Sequence, residues 1–242
     1  GEFSVELAGA SGSARRYLPN TAVLETVLTD GNGNSVRVTD FCPRFQARER
    51  IFRPVGLVRI VEPVSGRPLV RVRLRPRRDY GCSAHDVTWG SSHVRFTGGS
   101  HAWRVTTDAS VQAIIEEREF VLDRPMTMIL SPDEPLAESV SRLGRQFLED
   151  TVAYWLAWVR GLAIPFEWQH EVIRAAITLQ LCTYEDTGAV LAALTTSIPE
   201  SPGSTRNWDY RYCWLRDAYF VIRALNRLGA TLTMEAYLHF MD

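Results

Sequence analysis

Residues 206–217, RNWDYRYCWLRD, bring four aromatic side chains (Trp208, Tyr210, Tyr212, Trp214), three arginines and two aspartates into a dozen positions. Arginine and aspartate supply the bidentate donors and acceptors that vicinal hydroxyls need. Tyrosine and tryptophan supply flat rings, apolar in body and polar at the rim, on which a C–H face can rest. A pyranose asks for both at once. Tyr210 and Trp214 are four positions apart and would share a face on a helix.

The segment leads into a helical pattern in which Ala218, Val221, Ile222, Leu225 and Leu228 recur on one side, which puts it at that helix's N-terminal mouth. A cation there forfeits about 0.3–1 kcal/mol that an anion would gain. Arg211 and Arg216 are therefore expected where a carboxylate or a polar ligand compensates, Asp217 being the nearest partner and Asp209 the next. Taken singly, the same residues have plainer roles: Asp209 as an N-cap, Asp217 as a dipole partner, the aromatics as core. A core does not need three arginines among four aromatics, so the combination favours a polar-ligand site.

Two other patterns invite chemistry and lose to simpler readings. Residues 69–76 alternate apolar side chains with Arg71, Arg73 and Arg75, and Arg77 and Arg78 follow. A nucleic-acid binder uses such a stripe; so does a strand whose charged outer face discourages edge-to-edge pairing. With a net charge of -1 and no RNA-reading motif, the second reading is favoured. His85, His93 and His101 recur every eight residues, but no cysteine or carboxylate completes a metal-ligand pattern, so neither metal nor cofactor is expected. Trp155, Trp158 and Trp168 sit in apolar stretches at helical spacing and read as packing rather than as sugar platforms.

The elements that must position these residues fall into two halves. Up to about residue 130 the dominant signal is period-two alternation broken by turns. An opening strand carries Phe3, Val5 and Leu7. Residues 21–29 and 35–41 flank Asp30-Gly31-Asn32-Gly33-Asn34, a hairpin turn rich in residues that tolerate positive φ. Residues 55–61 and 69–74 flank a second turn at Ser65-Gly66. Further strands are expected over 93–96, 102–106 and 114–122, with no helices between them. That pattern predicts an antiparallel β-sandwich. Ser131-Pro132-Asp133-Glu134-Pro135 reads as a helix start, and Phe147, Leu148, Val152, Trp155, Leu156 and Val159 follow helical spacing to a stop at Gly161. A second helix is expected over 167–184, with Val172, Ile173, Ala176, Ile177 and Leu181 inward. A third is expected over 213–228 and a fourth from about 233. Successive helices with short links predict stacked helix hairpins, as a bundle or toroid. The expected division is a sandwich over 1–130, a helical linker over 131–165 and a helical domain from 166 to 242.

Composition is that of an ordinary soluble domain, 45% hydrophobic and 23% charged. The net charge of -1 provides no long-range field for a polyanion or an anionic membrane, so no nucleic-acid or membrane partner is expected. No apolar run reaches bilayer length. All 27 basic residues are arginine. Cys42, Cys82, Cys182 and Cys213 stand far apart with no CxxC pair, which fits reduced thiols and a cytoplasmic setting. The sequence enters a strand pattern at Gly1 without an initiator methionine and stops at Asp242 within a helical one, so both ends read as cut. Nothing in it sets an oligomeric state.

The 206–217 segment closely resembles the signature of glycoside hydrolase family 15, the glucoamylases and bacterial or archaeal trehalases. The preceding run GAVLAALTTSIPE, residues 188–200, is similar to the same stretch in the trehalase-like branch. Asp40-Phe41-Cys42-Pro43-Arg44-Phe45 and Arg75-Pro76-Arg77-Arg78-Asp79-Tyr80-Gly81 resemble landmarks of that branch's N-terminal sandwich. The resemblance implies a β-sandwich followed by an (α/α)6 toroid, of which this chain holds only the first helices. It implies that Trp214, Arg216 and Asp217 hold the non-reducing glucose, arginine and aspartate binding its outer hydroxyls, and that Tyr210 lies beside the reacting carbon. Family members invert configuration with two glutamates, and both family positions lie beyond Asp242. No catalytic residue is therefore expected within this chain: Glu200, Asp209 and Glu235 match no catalytic position, and Asp217 has a binding role. The implied substrate is an α-glucoside, either an oligosaccharide or trehalose. A non-catalytic carbohydrate-binding or scaffold protein is the alternative, and a nucleic-acid binder working through the arginine stripe is a third reading.

Overall fold

In the computed structural model, which describes residues 1–194 and 200–242, the chain divides into two units, Gly1–Tyr154 and Trp155–Asp242. The first is mostly β. Its opening strands are β1 (Glu2–Leu7), β2 (Ala10–Tyr17), β3 (Leu24–Asp30) and β4 (Ser35–Phe41), followed by the short pair β5 (Phe45–Ala47) and β6 (Arg50–Phe52). Then come β7 (Leu57–Ser65), β8 (Leu69–Arg75), β9 (Arg77–Arg78), β10 (Ser83–Ala84), β11 (Asp86–Trp89), β12 (His93–Thr97) and β13 (Trp103–Thr107). A short helix α1 (Val111–Ile115) precedes β14 (Phe120–Val121) and β15 (Met126–Pro132), and a long helix α2 (Val140–Arg160) closes the series.

Eight strands form one antiparallel sheet in the order β11-β12-β13-β15-β7-β4-β3-β2, and three form a second in the order β1-β8-β14. The alternation read from the sequence is what gives the large sheet two apolar faces. On one face Val36, Val38, Val61, Val94, Phe96, Val105, Met126 and Met128 share a core with Leu7, Val70 and Val72 of the small sheet. On the other, Val58, Ile60 and Ile129 meet Val140, Leu143, Phe147 and Val152 of α2. Each fully buried valine contributes roughly 1.5–3 kcal/mol relative to its exposed state. The turn between β3 and β4 forms as its composition requires: the Asp30 carboxylate accepts from the backbone of Asn32 (2.8 Å) and Asn34 (2.9 Å), and Gly33 takes φ +82. A bond from the Asn34 side-chain amide (2.7 Å) leads these in holding the Asp30 carboxyl below its ordinary pKa.

Two expectations fail in this unit. Residues 114–122 are not one strand, for Val111–Ile115 is helical, its N-cap Ser110 accepting from Ala113 N, and only Phe120–Val121 pairs with β8. The polar run after Ile115 explains the break: Glu117 sits at φ +50 and, with Glu119, reaches the arginines of β8 instead of extending a ladder. Nor is residues 131–135 a helix start. Ser131 and Pro132 end β15, and Asp133 is paired with both Arg95 and Arg104, so α2 begins only at Val140. The double pairing holds the Asp133 carboxyl at about 2.

The second unit contains the end of α2, then α3 (Gln169–Leu181), a hairpin of β16 (Thr183–Tyr184) and β17 (Ala189–Val190), α4 (Leu215–Arg227) and α5 (Thr231–Met241). Ala218, Ile222 and Val190 pack with Tyr237, and Gln180 accepts a buried hydrogen bond from Thr233 at 3.1 Å. Gly188 (φ +84) lies so close to the Ala236 carbonyl that a Cβ there would overlap it. Ala176 and Ile177 face inward on α3 as expected, but Leu181 is exposed and Gln180 is buried in its stead. Of the three tryptophans read as packing, Trp155 is 1% exposed and meets Trp158 edge-on, whereas Trp168 is 72% exposed at φ +59 ahead of α3. All four cysteines are free thiols. Among the described residues no helix is long and apolar enough to cross a membrane.

Candidate functional site

The 206–217 segment runs into α4 as its spacing required. Trp214 is the N-cap in extended conformation (φ -94, ψ 120), its carbonyl accepts from Ala218 N at 2.9 Å, and Leu215, Arg216 and Asp217 form the first turn. No side chain caps this helix, so the expectation of Asp209 as a possible cap is not met. Ala218, Ile222 and Leu225 are buried, which anchors the helix and turns the start of its first turn outward.

Arg216 lies 76% exposed and donates from Nη2 to the Asp217 carboxylate at 3.2 Å, while Asp217 is 36% exposed. The carboxylate also stands in the positive field of the helix start. One such bond leaves most of the guanidinium's five donors and part of the carboxylate's acceptor capacity free for another polar group. The rings of Tyr210 and Trp214 lie 5.5 Å apart at 40°. They do not share a helical face, because Tyr210 precedes α4 in a turn, and the turn brings the rings together instead. Both are half-buried, each offering part of its surface. All four residues singled out in the sequence therefore sit around one helix start, as a ring pair and an ion pair.

The second of the expected compensating carboxylates, together with a further ion pair, organises the approach to this mouth. Asp209 accepts from Arg211 at the backbone N (3.0 Å), Nε (3.0 Å) and Nη2 (2.8 Å), and the Arg211 side chain is the leading cause that keeps its carboxyl below the ordinary range. Arg206 pairs with Glu200 at 3.2 Å and lies over the Trp208 ring at 5.7 Å. The carbonyls of Tyr210 and Tyr212 accept from Ala193 N (3.0 Å) and Ala192 N (3.2 Å), stitching the turn to the strand-like segment after β17. Asp209 is thus the carboxylate that compensates Arg211, as the sequence reading allowed, whereas the Arg206–Glu200 pair was not anticipated. Residues 195–199, part of the GAVLAALTTSIPE resemblance, lie outside the described residues.

The two other patterns resolve structurally. Arg71, Arg73 and Arg75 are paired with Glu119, Glu6 and Glu117, so these three charges are matched by acids of β1 and of the segment before β14. His85 contacts the Thr97 carbonyl at 3.2 Å, His101 contacts Ser100, and burial, then Arg104 and Arg95, push the His93 pKa down. Among the described residues no three His, Cys, Asp or Glu side chains converge as a metal site would require.

The family model for glycosyl hydrolases family 15 matches residues 169–242. Similarity to curated proteins extends further. A trehalase of Thermoplasma volcanium is 38% identical over 241 residues, covering 93% of this chain and 37% of that protein. A trehalase of Mycolicibacterium smegmatis is 31% identical over 260 residues, covering 95% and 38%. A trehalase of Mycobacterium tuberculosis is 29% identical over 261 residues, covering 95% and 37%. The chain thus spans less than two fifths of the length of these relatives.

Proposed function

Since the chain belongs to glycosyl hydrolases family 15 and is trehalase-like along most of its length, we propose that it carries the glucose grip of an inverting α-glucosidase, with trehalose as the preferred substrate. Tyr210, Trp214, Arg216 and Asp217 hold the non-reducing glucose. Trp214 and Tyr210 receive its C–H faces, and Arg216 and Asp217 exchange hydrogen bonds with its outer hydroxyls. The observation that carries the reading is the outward-facing Arg216–Asp217 pair beside the Tyr210–Trp214 rings at the start of α4.

Inversion needs an acid on the leaving oxygen and a base on water, with carboxyls about 6.5–9.5 Å apart. The carboxylates near the grip are poor candidates: both oxygens of Asp209 accept from Arg211, Glu200 is paired with Arg206, and Asp217 is assigned to the sugar. The resemblance to family 15 implies that the acid and base are two glutamates, and neither family position matches a residue within 1–242. In the same reading, residues 1–130 form a β-sandwich, 131–165 link it, and 166–242 begin an (α/α)6 toroid. Two sheets on one core support the first element, and successive packed helices support the last.

The test is glucose release by the full-length protein from trehalose, maltose and isomaltose, with early NMR spectra of the anomers. Inverting attack on trehalose yields one β- and one α-glucose, whereas retention yields α alone. Asp217→Ala is expected to lower kcat/KM by about 10²–10³-fold, the scale for removing one group that stabilises the transition state. Unchanged turnover would reject the assignment. Sugar binding without turnover by the full-length protein would favour a non-catalytic carbohydrate-binding role.

A further inference from the structure

We infer that Asp209 is a positioning residue: its clasp on Arg211 closes the backbone around Tyr210 and sets that ring against Trp214 at the angle the sugar meets. The inference rests on the sugar-grip reading of the same mouth, and extends it to a residue with no contact role of its own.

A carboxylate beside a sugar site has three ordinary uses, and the geometry removes each in turn. Asp209 is not the cap of α4, whose N-cap is Trp214. It is a poor acid or base, because Arg211 holds its pKa below the usual range and proton transfer in either direction works best with a pKa near the working pH. It is a poor hydroxyl ligand, since both of its oxygens already accept from Arg211. What remains is the loop it makes. The three bonds run from residue 209 to residue 211 and span only Tyr210, so they restrain the one residue whose ring reaches Trp214. The carbonyls on either side of Arg211 are tied to Ala193 N and Ala192 N, so the clasp is mounted on a fixed backbone.

Energetics point the same way. The Arg211 side chain is 53% exposed, and exposed pairs contribute little to global stability. The clasp is thus badly placed to hold the domain together and well placed to fix a ring. A ring misplaced by about 1 Å beside a reacting centre is enough to lower turnover on the order of 100-fold.

The experiment is a double-mutant cycle in the full-length enzyme with trehalose, comparing Asp209→Ala, Tyr210→Ala and the pair, alongside Asp217→Ala and thermal melting. Asp209→Ala should lower kcat/KM by about 10- to 100-fold with little change in melting temperature. In the Tyr210→Ala background it should cost nothing more, because the ring it serves is gone. Asp209→Asn, which keeps a carbonyl oxygen for the Arg211 N–H, should recover part of the loss. The same factor lost with and without Tyr210 overturns the inference, as does a large melting shift with normal kinetics. If Asp209→Ala is silent while Asp217→Ala abolishes turnover, the grip survives and the clasp falls. If both are silent, the grip itself is wrong.

Discussion

Arginine–carboxylate pairing follows different rules in the two units. In Gly1–Tyr154 the arginines of the sheets pair with acids distant in sequence, Arg59 with Asp40, Arg73 with Glu6, Arg71 with Glu119, and Arg95 and Arg104 with Asp133, while local pairs such as Arg118 with Glu116 and Arg142 with Glu138 lie outside the strands. In Trp155–Asp242 the pairs at the helix mouth are local: Arg216 with its neighbour Asp217, and Arg211 with Asp209 two positions back. The first set is mostly sheltered, Arg59 12% and Arg104 15% exposed at the side chain, so its donors face partners fixed by strand register. The second set is more open, with Arg216 76% and Arg211 53% exposed at the side chain. An arginine-rich stretch does not declare a function. Whether the guanidinium is already enclosed by acids decides what it can still bind.

The largest effect expected from this difference is the loss of turnover in Asp217→Ala, about 10²–10³-fold with a nearly unchanged melting temperature. A melting shift as large as that from a strand pair would break the contrast. Gly188→Ala should do the opposite in the same unit. Its φ of +84 and the adjacent Ala236 carbonyl leave no room for a Cβ, so at least about 1 kcal/mol of stability should be lost in urea unfolding. Asp133→Asn sharpens the comparison through pH. Because the folded-state value of about 2 lies below the ordinary 3.8, the native pair stabilises the fold above about pH 4, and that contribution is withdrawn as pH falls toward 2. The variant should be less stable at neutral pH, and its stability should fall less steeply over that acid window. Arg71→Ala is the smallest: within about 1 kcal/mol by thermal melting, with unchanged retention on heparin, because its charge is shared with Glu119 and Glu6.

Much of the local structure was legible in the residues themselves. The Asp30–Asn34 turn and the start of α4 behind Trp214 each depend on side chains within a few positions. The failures share a cause. Residues 114–122 and 131–135 carry strand-like and cap-like compositions, yet their charged residues answer to arginines 29 to 48 positions away. Trp168 looked like packing from its apolar neighbours, but it precedes α3 at a positive φ and points outward.

Within the candidate site the same boundary runs between neighbouring residues. The identities at Tyr210, Trp214, Arg216 and Asp217 were enough to propose a grip, since hydroxyl and C–H recognition follow from side-chain chemistry alone. That Tyr210 meets Trp214 across a turn, and which of the two aspartates takes which arginine, came only from the folded chain. Propensity and capping act over one or two helical turns and are written in consecutive residues. Sheet register, the partner of a charge and the angle of a ring are set by many packing contacts satisfied together, and no short stretch of sequence contains them.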